Sequence, residues 1–89
     1  MLKPIYTNAF AKDFKLATKR GKNLEKLKKI IELLAAELPL PTKHRDHNLI
    51  GNFIGRRECH IVADWLLIYK IDGDTIIFER TGTHSDLFR

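Results

Sequence analysis

The sequence lacks most features that mark an exported, membrane-bound or multidomain protein. It contains one cysteine, Cys59, in 89 residues, so no internal disulfide can form and nothing indicates an oxidising compartment. No apolar run approaches the ~20 residues of a membrane-spanning helix. The N-terminus carries no apolar core followed by a small-residue cleavage site. These absences predict a small cytoplasmic protein without a membrane partner.

Repeats, low-complexity tracts and linkers are also absent, so residues 1–89 are predicted to form a single domain. A chain of this length buries roughly 60–65% of its unfolded surface, which is enough for one modest core. Apolar residues make up 44% and charged residues 30% of the sequence, as is typical of globular rather than disordered chains.

Acidic residues are scarce in the first half. Residues 1–45 hold eleven Lys and Arg against four Asp and Glu, whereas residues 46–89 hold five against seven. The net charge of +5 is therefore concentrated in one part of the domain. Such a basic face attracts polyanions, because neutralised phosphates release counterions. A solvated face or a site for an acidic protein would have the same composition.

The first half predicts a short edge strand over residues 2–6 and then two helices. Thr7 or Asn8 can cap a helix over about residues 8–20, and Gly21 ends it. Its apolar residues recur at helical spacing: Phe10, Phe14 and Ala17. Its opposite side carries three lysines, also at helical spacing: Lys12, Lys15 and Lys19.

The second helix has the clearest period in the sequence. Asn23 can cap it, and proline at position 39 stops it because the residue before a proline disfavours helical geometry. Its apolar residues repeat at intervals of three and four: Leu24, Leu27, Ile31, Leu34 and Leu38. The pattern predicts two antiparallel helices joined by a glycine turn.

Beyond Pro41 the apolar period changes to two, which predicts strands. The four candidates are Leu49–Ile54, Arg57–Val62, Trp65–Ile71 and Thr75–Thr81. Asp72-Gly73 is a strong hairpin signal between the last two. The predicted fold class is α+β: an N-terminal strand and a two-helix hairpin packed on an antiparallel sheet, with a short C-terminal turn or helix. The other face of the sheet stays open for function.

All histidines lie in the second half, in predicted loops or at strand ends: His44, His47, His60 and His84. By strand parity Glu58 and His60 share one face, and Phe78 and Arg80 share another. Neighbouring antiparallel strands could bring His60 and Arg80 together, in a register that the sequence does not fix. Asp64 lies at the tight connection between two strands.

These residue types suit cleavage of RNA by attack of the ribose 2′-oxygen on the adjacent phosphate. The reaction needs a base for the 2′-OH, an acid for the leaving 5′-oxygen and positive charge near the phosphate. Histidine, with an ordinary pKa of ~6.5, can serve as either acid or base. Arginine offers paired donors to phosphate oxygens. The chemistry requires no metal or other cofactor.

A zinc site is a competing use of the same residues. His44 and His47 could bind zinc with His60 or His84, and Cys59 is adjacent in sequence. The paired cysteines of most structural zinc sites are absent, however. Strand alternation turns Cys59 away from His60, so a buried, inert thiol is favoured over a ligand or nucleophile.

Two aromatic residues, Trp65 and Phe88, could stack on RNA bases, a contact worth ~1–3 kcal/mol per base. Core packing is the default interpretation for Trp65. Phe88 is harder to bury, so its functional interpretation carries more weight.

Four segments occur in a characteristic order: Asp46-His47, Gly51–His60, Asp64–Lys70 and Phe78–Phe88. Together they resemble YafQ-type toxins of the RelE/ParE superfamily, the toxin halves of bacterial type II toxin–antitoxin pairs. The resemblance covers nearly the whole chain. It implies a ribosome-dependent endoribonuclease that cuts translated mRNA in the A site of the 70S ribosome. It also implies a DinJ/RelB-like antitoxin that wraps and blocks the toxin, and binding of the pair to operator DNA mainly through the antitoxin.

The resemblance also implies roles for individual residues. The family's acid/base set is matched by His47, His60, Asp64 and His84. Arg80 matches the phosphate-stabilising arginine, and Trp65 and Phe88 match aromatic positions of the site. His84 is the first choice for proton transfer, with His47 or His60 as its counterpart, and Asp64 would orient a histidine.

Glu58 stands where a relative has the shorter Asp, so its role is open. The fold is also shared with ParE-like inhibitors that cleave nothing. A non-enzymatic binding module, in which the basic helices act alone, is therefore the alternative. Under the nuclease hypothesis the lysines of the first helix anchor the protein to ribosomal RNA or to the antitoxin.

Overall fold

The computed structural model describes residues 1–88, except for the side chain of Asn52. Its strands and helices, in chain order, are β1 (Lys3–Tyr6), α1 (Asn8–Lys19), α2 (Leu24–Ala35), β2 (His47–Asn48), β3 (Arg57–Val62), β4 (Trp65–Asp72), β5 (Thr75–Gly82) and α3 (His84–Leu87). The sheet order is β1-β5-β4-β3-β2. β1 runs parallel to β5 and the other pairs are antiparallel. The predicted α+β class is confirmed, with a mixed rather than an antiparallel sheet.

Helix α1 begins and ends where its sequence signals lie. The Thr7 hydroxyl accepts a hydrogen bond from the Phe10 N–H at 3.0 Å, which satisfies a free donor of the first turn. Gly21 follows the helix with φ of 73°, a conformation that glycine adopts without strain. In residues 1–88 no helix is long and apolar enough to cross a membrane.

Helix α2 is shorter than predicted. Asn23 caps it as expected, with its side chain accepting from the Glu25 N–H at 3.1 Å. The helix ends at Ala35 because Glu37 takes a left-handed conformation, with φ of 60°. The Leu38 N–H then donates back to the Leu33 carbonyl at 2.9 Å, a standard helix-ending bond. Leu38 is exposed, so its predicted place on the apolar side of the helix is wrong.

The main core lies between the helices and one face of the sheet. Its largest fully buried side chains are Trp65, Tyr69 and Phe78, and from α2 it receives Leu27. A smaller cluster covers part of the opposite face, where Leu66, Ile68 and Leu87 pack with Leu49 and Phe53. The second face is therefore partly covered.

The predicted strand Leu49–Ile54 is wrong. Only His47–Asn48 pairs with β3 in this region, and Gly51–Phe53 forms a single 3₁₀ turn. Gly51 and Gly55 have φ of 71° and 86°, values incompatible with a strand. Leu49 and Phe53 instead pack in the small cluster on the second face, and Ile50 and Ile54 are exposed.

A bulge in β5 changes the predicted parity. Phe78 pairs with Tyr69 and Arg80 pairs with Ile68, which leaves Glu79 as an extra residue between them. Arg80 therefore lies on the face opposite to Phe78, and the prediction that they share a face is wrong. β4 also lies between β3 and β5, so the expectation that His60 and Arg80 meet on neighbouring strands is wrong too.

Candidate active site

Three imidazoles form a row across the second face of the sheet. The ring centroids of His47 and His60 lie 6.5 Å apart, and those of His60 and His84 lie 6.0 Å apart. They come from β2, from β3 and from the first residue of α3. The predicted histidines are thus brought together although up to 37 positions separate them in sequence. His44 lies outside the row and binds the His60 carbonyl through Nδ1 at 2.7 Å.

Glu58 lies beneath the first two histidines. Its carboxylate is buried, and Oε1 is 3.5 Å from His60 Nε2 and 3.9 Å from His47 Nε2. His47 pairs with Glu58 in the sheet register, which sets the two side chains on one face. The buried carboxylate and the two imidazoles therefore form one cluster on the second face.

Asp64 holds His84. Its Oδ1 accepts the imidazole Nδ1 at 2.6 Å and the backbone N–H of His84 at 3.0 Å. The pKa of the Asp64 carboxyl lies below its usual value. The main cause is the hydrogen bond from the His84 backbone N–H, and the second is the bond from its imidazole. Because Nδ1 is bound to the carboxylate, Nε2 of His84 is the nitrogen left for substrate.

Asp86 fixes the short helix that carries His84. Its carboxylate accepts the Thr83 N–H at 3.0 Å, while its own N–H donates to the Thr83 hydroxyl at 3.1 Å, a capping box. It also forms a bidentate pair with Arg20, with distances of 2.7 and 3.3 Å. The Arg20 guanidinium is the main cause that lowers the pKa of the Asp86 carboxyl strongly. α1 and α3 are therefore joined next to the site.

Of the two aromatic residues predicted to stack on RNA bases, Phe88 lies at the site and Trp65 lies in the core. Phe88 is 39% exposed and contacts both the His84 ring and Phe53, with centroids 5.9 and 5.3 Å apart. Trp65 is 1% exposed and its Nε1 donates to the Thr81 hydroxyl at 2.9 Å. The structure supports the core-packing interpretation of Trp65, since no base can reach a buried ring.

Arg80 is bound to an acidic residue of α1. Its Nε and Nη2 donate to Asp13 at 2.7 and 3.1 Å, and Asp13 also accepts the Thr81 N–H at 3.1 Å. Hydrogen bonds to Asp13 raise the pKa of the Arg80 guanidinium further, so it stays charged. Nη1 is the guanidinium nitrogen that Asp13 does not bind.

An apolar cleft of about 840 Å³ opens beside His60. Its floor includes Ile30, Leu33 and Ile61. Its exposed rim carries one acidic residue, Glu25, and four cationic ones: Lys26, Lys29, Lys43 and Arg45. The lysines predicted to bind RNA lie elsewhere, exposed on α1: Lys12, Lys15 and Lys19. The protein thus presents basic residues on both helices.

Among residues 1–88, no three His, Cys, Asp or Glu side chains are grouped so that they could hold a metal ion. Cys59 is fully buried on the core side. Burial is the main cause that raises the pKa of its thiol to about 12. The thiol stays protonated and unreactive, as its position in β3 predicts.

Comparison with known proteins gives the family of the chain. Residues 2–89 match the model of the family described as the bacterial toxin of type II toxin–antitoxin systems, YafQ. The chain belongs to the YafQ toxin family. The mRNA interferase toxin YafQ of Escherichia coli K12 is 48% identical over 84 residues, which cover 93% of this chain and 91% of the relative.

Solved structures of the family share the whole fold. YafQ in the crystal structure of the E. coli DinJ–YafQ complex is 44% identical, with a TM-score of 0.92 and 100% of both chains covered. A metal-bound toxin from Helicobacter pylori is 41% identical, with a TM-score of 0.93, covering 99% of this chain and 100% of that one.

Sequence reasoning assigns no role to three residues at this YafQ-family site: Glu58, Asp13 and Phe53. Asp13 could have been found, because it is the single acid in residues 1–24 and an isolated acid in a basic segment needs a partner. Phe53 gives a weaker signal, as an aromatic residue in a glycine-flanked loop. The role of Glu58 depends on the two histidines above it, which only the sheet register reveals.

Proposed function

We propose that this YafQ-family toxin is an mRNA interferase, an endoribonuclease that cleaves translated mRNA in the A site of the ribosome. The row of three imidazoles, one of them bound to a carboxylate, carries the proposal. Such a row supplies an acid and a base at neutral pH. The names of the E. coli relatives support the same activity.

The reaction needs two proton transfers. One imidazole accepts the proton of the 2′-OH as the O2′–P bond forms, and a protonated imidazole donates to O5′ as the P–O5′ bond breaks. The products are a 2′,3′-cyclic phosphate and a free 5′-OH. Arg80 Nη1 would neutralise charge on the phosphate oxygens. No metal or cofactor takes part in these steps.

We assign the two transfers to His84 and His47. His84 offers Nε2 while Asp64 holds Nδ1. His47 is half exposed, and its Nδ1 binds the Arg45 carbonyl, which leaves Nε2 for substrate. His60 is less exposed, with Nδ1 3.4 Å from the Ala63 carbonyl and Nε2 near Glu58. We assign no proton transfer to His60; its ring lies between those of His47 and His84 and lines the site.

The toxin's partner would be a DinJ/RelB-like antitoxin, as in the E. coli complex. The cleft beside His60 supports this, because an apolar floor with a basic rim suits an amphipathic segment with acidic side chains. The pair would bind operator DNA mainly through the antitoxin. Action on 70S ribosomes requires the free toxin to be in the cytoplasm.

The test is primer extension on a defined mRNA incubated with the purified toxin, with and without translating ribosomes and with EDTA present. Wild type should give codon-phased cuts that require ribosomes and survive the chelator. His84→Ala should lose about 10²–10⁴-fold in cleavage rate while still binding antitoxin.

His44→Ala is the matched control, since His44 lies outside the row of rings. Equal cleavage by wild type and His84→Ala would remove His84 from the chemistry. Ribosome stalling without cuts, in wild type and variant alike, would overturn the nuclease and favour a ParE-like inhibitor. Under that outcome charge reversal on α1, not loss of His84, would abolish toxicity.

A further inference from the structure

His47 lies on a strand too short to hold it alone. β2 contains two residues, and its register with β3 consists of His47 opposite Glu58 and Asn48 opposite Arg57. The next segment leaves the sheet at Gly51, where the 3₁₀ turn begins. A two-residue strand at the edge of a sheet frays readily, because few backbone bonds fix it.

The side chains on both sides of His47 bind one guanidinium. Arg57 Nε donates to Asp46 Oδ1 at 3.1 Å, and Arg57 Nη1 donates to Asn48 Oδ1 at 2.8 Å. Strand alternation turns these two neighbours toward one face and His47 toward the other. Fixing Asp46 and Asn48 on the far side therefore fixes the direction of the imidazole.

A buried phenol anchors the same carboxylate to the core. The Tyr69 hydroxyl donates to Asp46 Oδ1 at 2.6 Å, and Tyr69 is 1% exposed. Burial, followed by the bond to Asp46, raises the pKa of Tyr69 strongly, so its hydroxyl remains a donor at all working pH values. Tyr69 lies opposite Arg57 in the register of β3 and β4. Both residues that bind Asp46 therefore belong to paired strands of the sheet.

We propose that Arg57 is a positioning residue for His47. Its planar fork holds the two residues that flank the histidine, and Tyr69 holds Asp46 in place. The proposal rests on the proposed function, because it acts through proton transfer at His47. A lysine at position 57 would keep the charge but could not bind both neighbours in fixed geometry.

The test is Arg57→Lys in the full-length toxin, with Arg56→Lys as matched control. Arg56 is the preceding residue, and its Nε binds Glu79 instead of the segment that holds His47. Arg57→Lys should lower kcat for ribosome-dependent cleavage about tenfold with KM unchanged. The His47 imidazole signals in ¹H–¹⁵N NMR spectra should shift, while those of His84 stay in place.

A second arm separates positioning from general damage. Arg57→Lys introduced into His47→Ala should cause no further loss of cleavage, because the residue acts only through that histidine. Asn48→Ala removes one of the two side chains that Arg57 binds, at an exposed position. It should lower kcat by a smaller factor than Arg57→Lys does. It serves as the test if Arg57→Lys fails to fold.

Three results would overturn the proposal: unchanged kcat and unmoved His47 signals in Arg57→Lys, an equal loss in Arg56→Lys, or full additivity with His47→Ala. Full activity of His47→Ala is a different failure. It would refute the role of His47 in the proposed function, while the NMR shifts would still report whether Arg57 holds the ring.

Discussion

One oxygen of Asp64 accepts two hydrogen bonds from His84, from the imidazole at 2.6 Å and from the backbone at 3.0 Å. Asp64 lies in the turn between β3 and β4, whereas His84 follows β5. The contact therefore joins the turn between β3 and β4 to the first residue of α3. It fixes both the position of the residue and the orientation of its ring.

Asp64→Asn should separate these two effects. The amide oxygen can still accept both bonds, but the negative charge that stabilises an imidazolium is lost. We expect kcat for cleavage to fall about tenfold or more, with an unchanged melting temperature. Single-turnover cleavage and thermal unfolding measure the two quantities, with Asp72→Asn as an exposed control. A wild-type rate would show that the charge of Asp64 is not used.

Asp13→Asn should disturb Arg80. Asp13 holds two nitrogens of the guanidinium and is itself largely buried. Losing hydrogen bonds to a charged group costs about 2 kcal/mol in the free energy of unfolding. Cleavage should fall as well, because Arg80 Nη1 loses its fixed direction. Urea unfolding and cleavage rates check the two effects, and a stable variant with normal cleavage would contradict both.

Asp86 makes the fold sensitive to acid. Its pKa is lower in the folded protein than the ~3.9 of an unfolded chain. Its contribution to stability is therefore complete above about pH 4 and is lost as the pH falls toward the folded value. Asp86→Asn should be less stable than wild type at pH 6, and the difference should shrink at pH 2–3. Urea unfolding at both pH values measures this, and a constant difference would contradict the linkage.

Substitution of Trp65 should affect folding before it affects RNA. Trp65→Ala is expected to cost about 3–5 kcal/mol of stability, as for other large buried side chains. Trp65→Phe keeps most of the volume but leaves the Thr81 hydroxyl without its donor, at about 1 kcal/mol. Denaturant unfolding gives these values. If Trp65→Phe were fully stable but bound RNA weakly, the ring would have to leave the core during function.

Charge reversal on α1 should weaken binding rather than chemistry. Lys15→Glu, with Lys12→Glu and Lys19→Glu in further variants, should reduce affinity for ribosomes and the salt dependence of binding. The slope of log K against log salt should fall by about one for each phosphate that the toxin no longer neutralises. Single-turnover rates at saturating toxin should stay at the wild-type value. Lys28→Glu, on α2, is the control for net charge.

The helices and the last three strands were predictable because their signals are local. The side chains of Thr7 and Asn23 mark the helix starts, because each accepts a hydrogen bond from the first turn of its helix. Gly21 marks the end of α1, because it adopts a positive φ. The hairpin at Asp72-Gly73 likewise needs no distant partner. The apolar pattern wrongly places Leu38 on α2. The helix ends earlier because Glu37 adopts a left-handed conformation, and a glutamate in the sequence does not predict that conformation.

The residue types of the site could be predicted from the sequence, but the distances between them could not. His47, His60 and His84 do meet on one face, as their shared chemistry suggests. Their spacing depends on the sheet order and on a bulge at Glu79, neither of which has a sequence signal. The partner of Arg80 was missed for the same reason, because Asp13 lies 67 positions away.

The ties between α1 and the end of the chain also bear on how the toxin folds. Thr7 binds the Glu79 carbonyl, Asp13 binds Arg80 and Arg20 binds Asp86, across 66 to 72 positions. Contacts of such high sequence separation close late, after helices and local hairpins have formed. We therefore expect these three ties to close late in folding, so that α3 and its His84 are placed beside α1 only after the last strand has joined the sheet. A chain stopped before that step would have no complete nuclease centre.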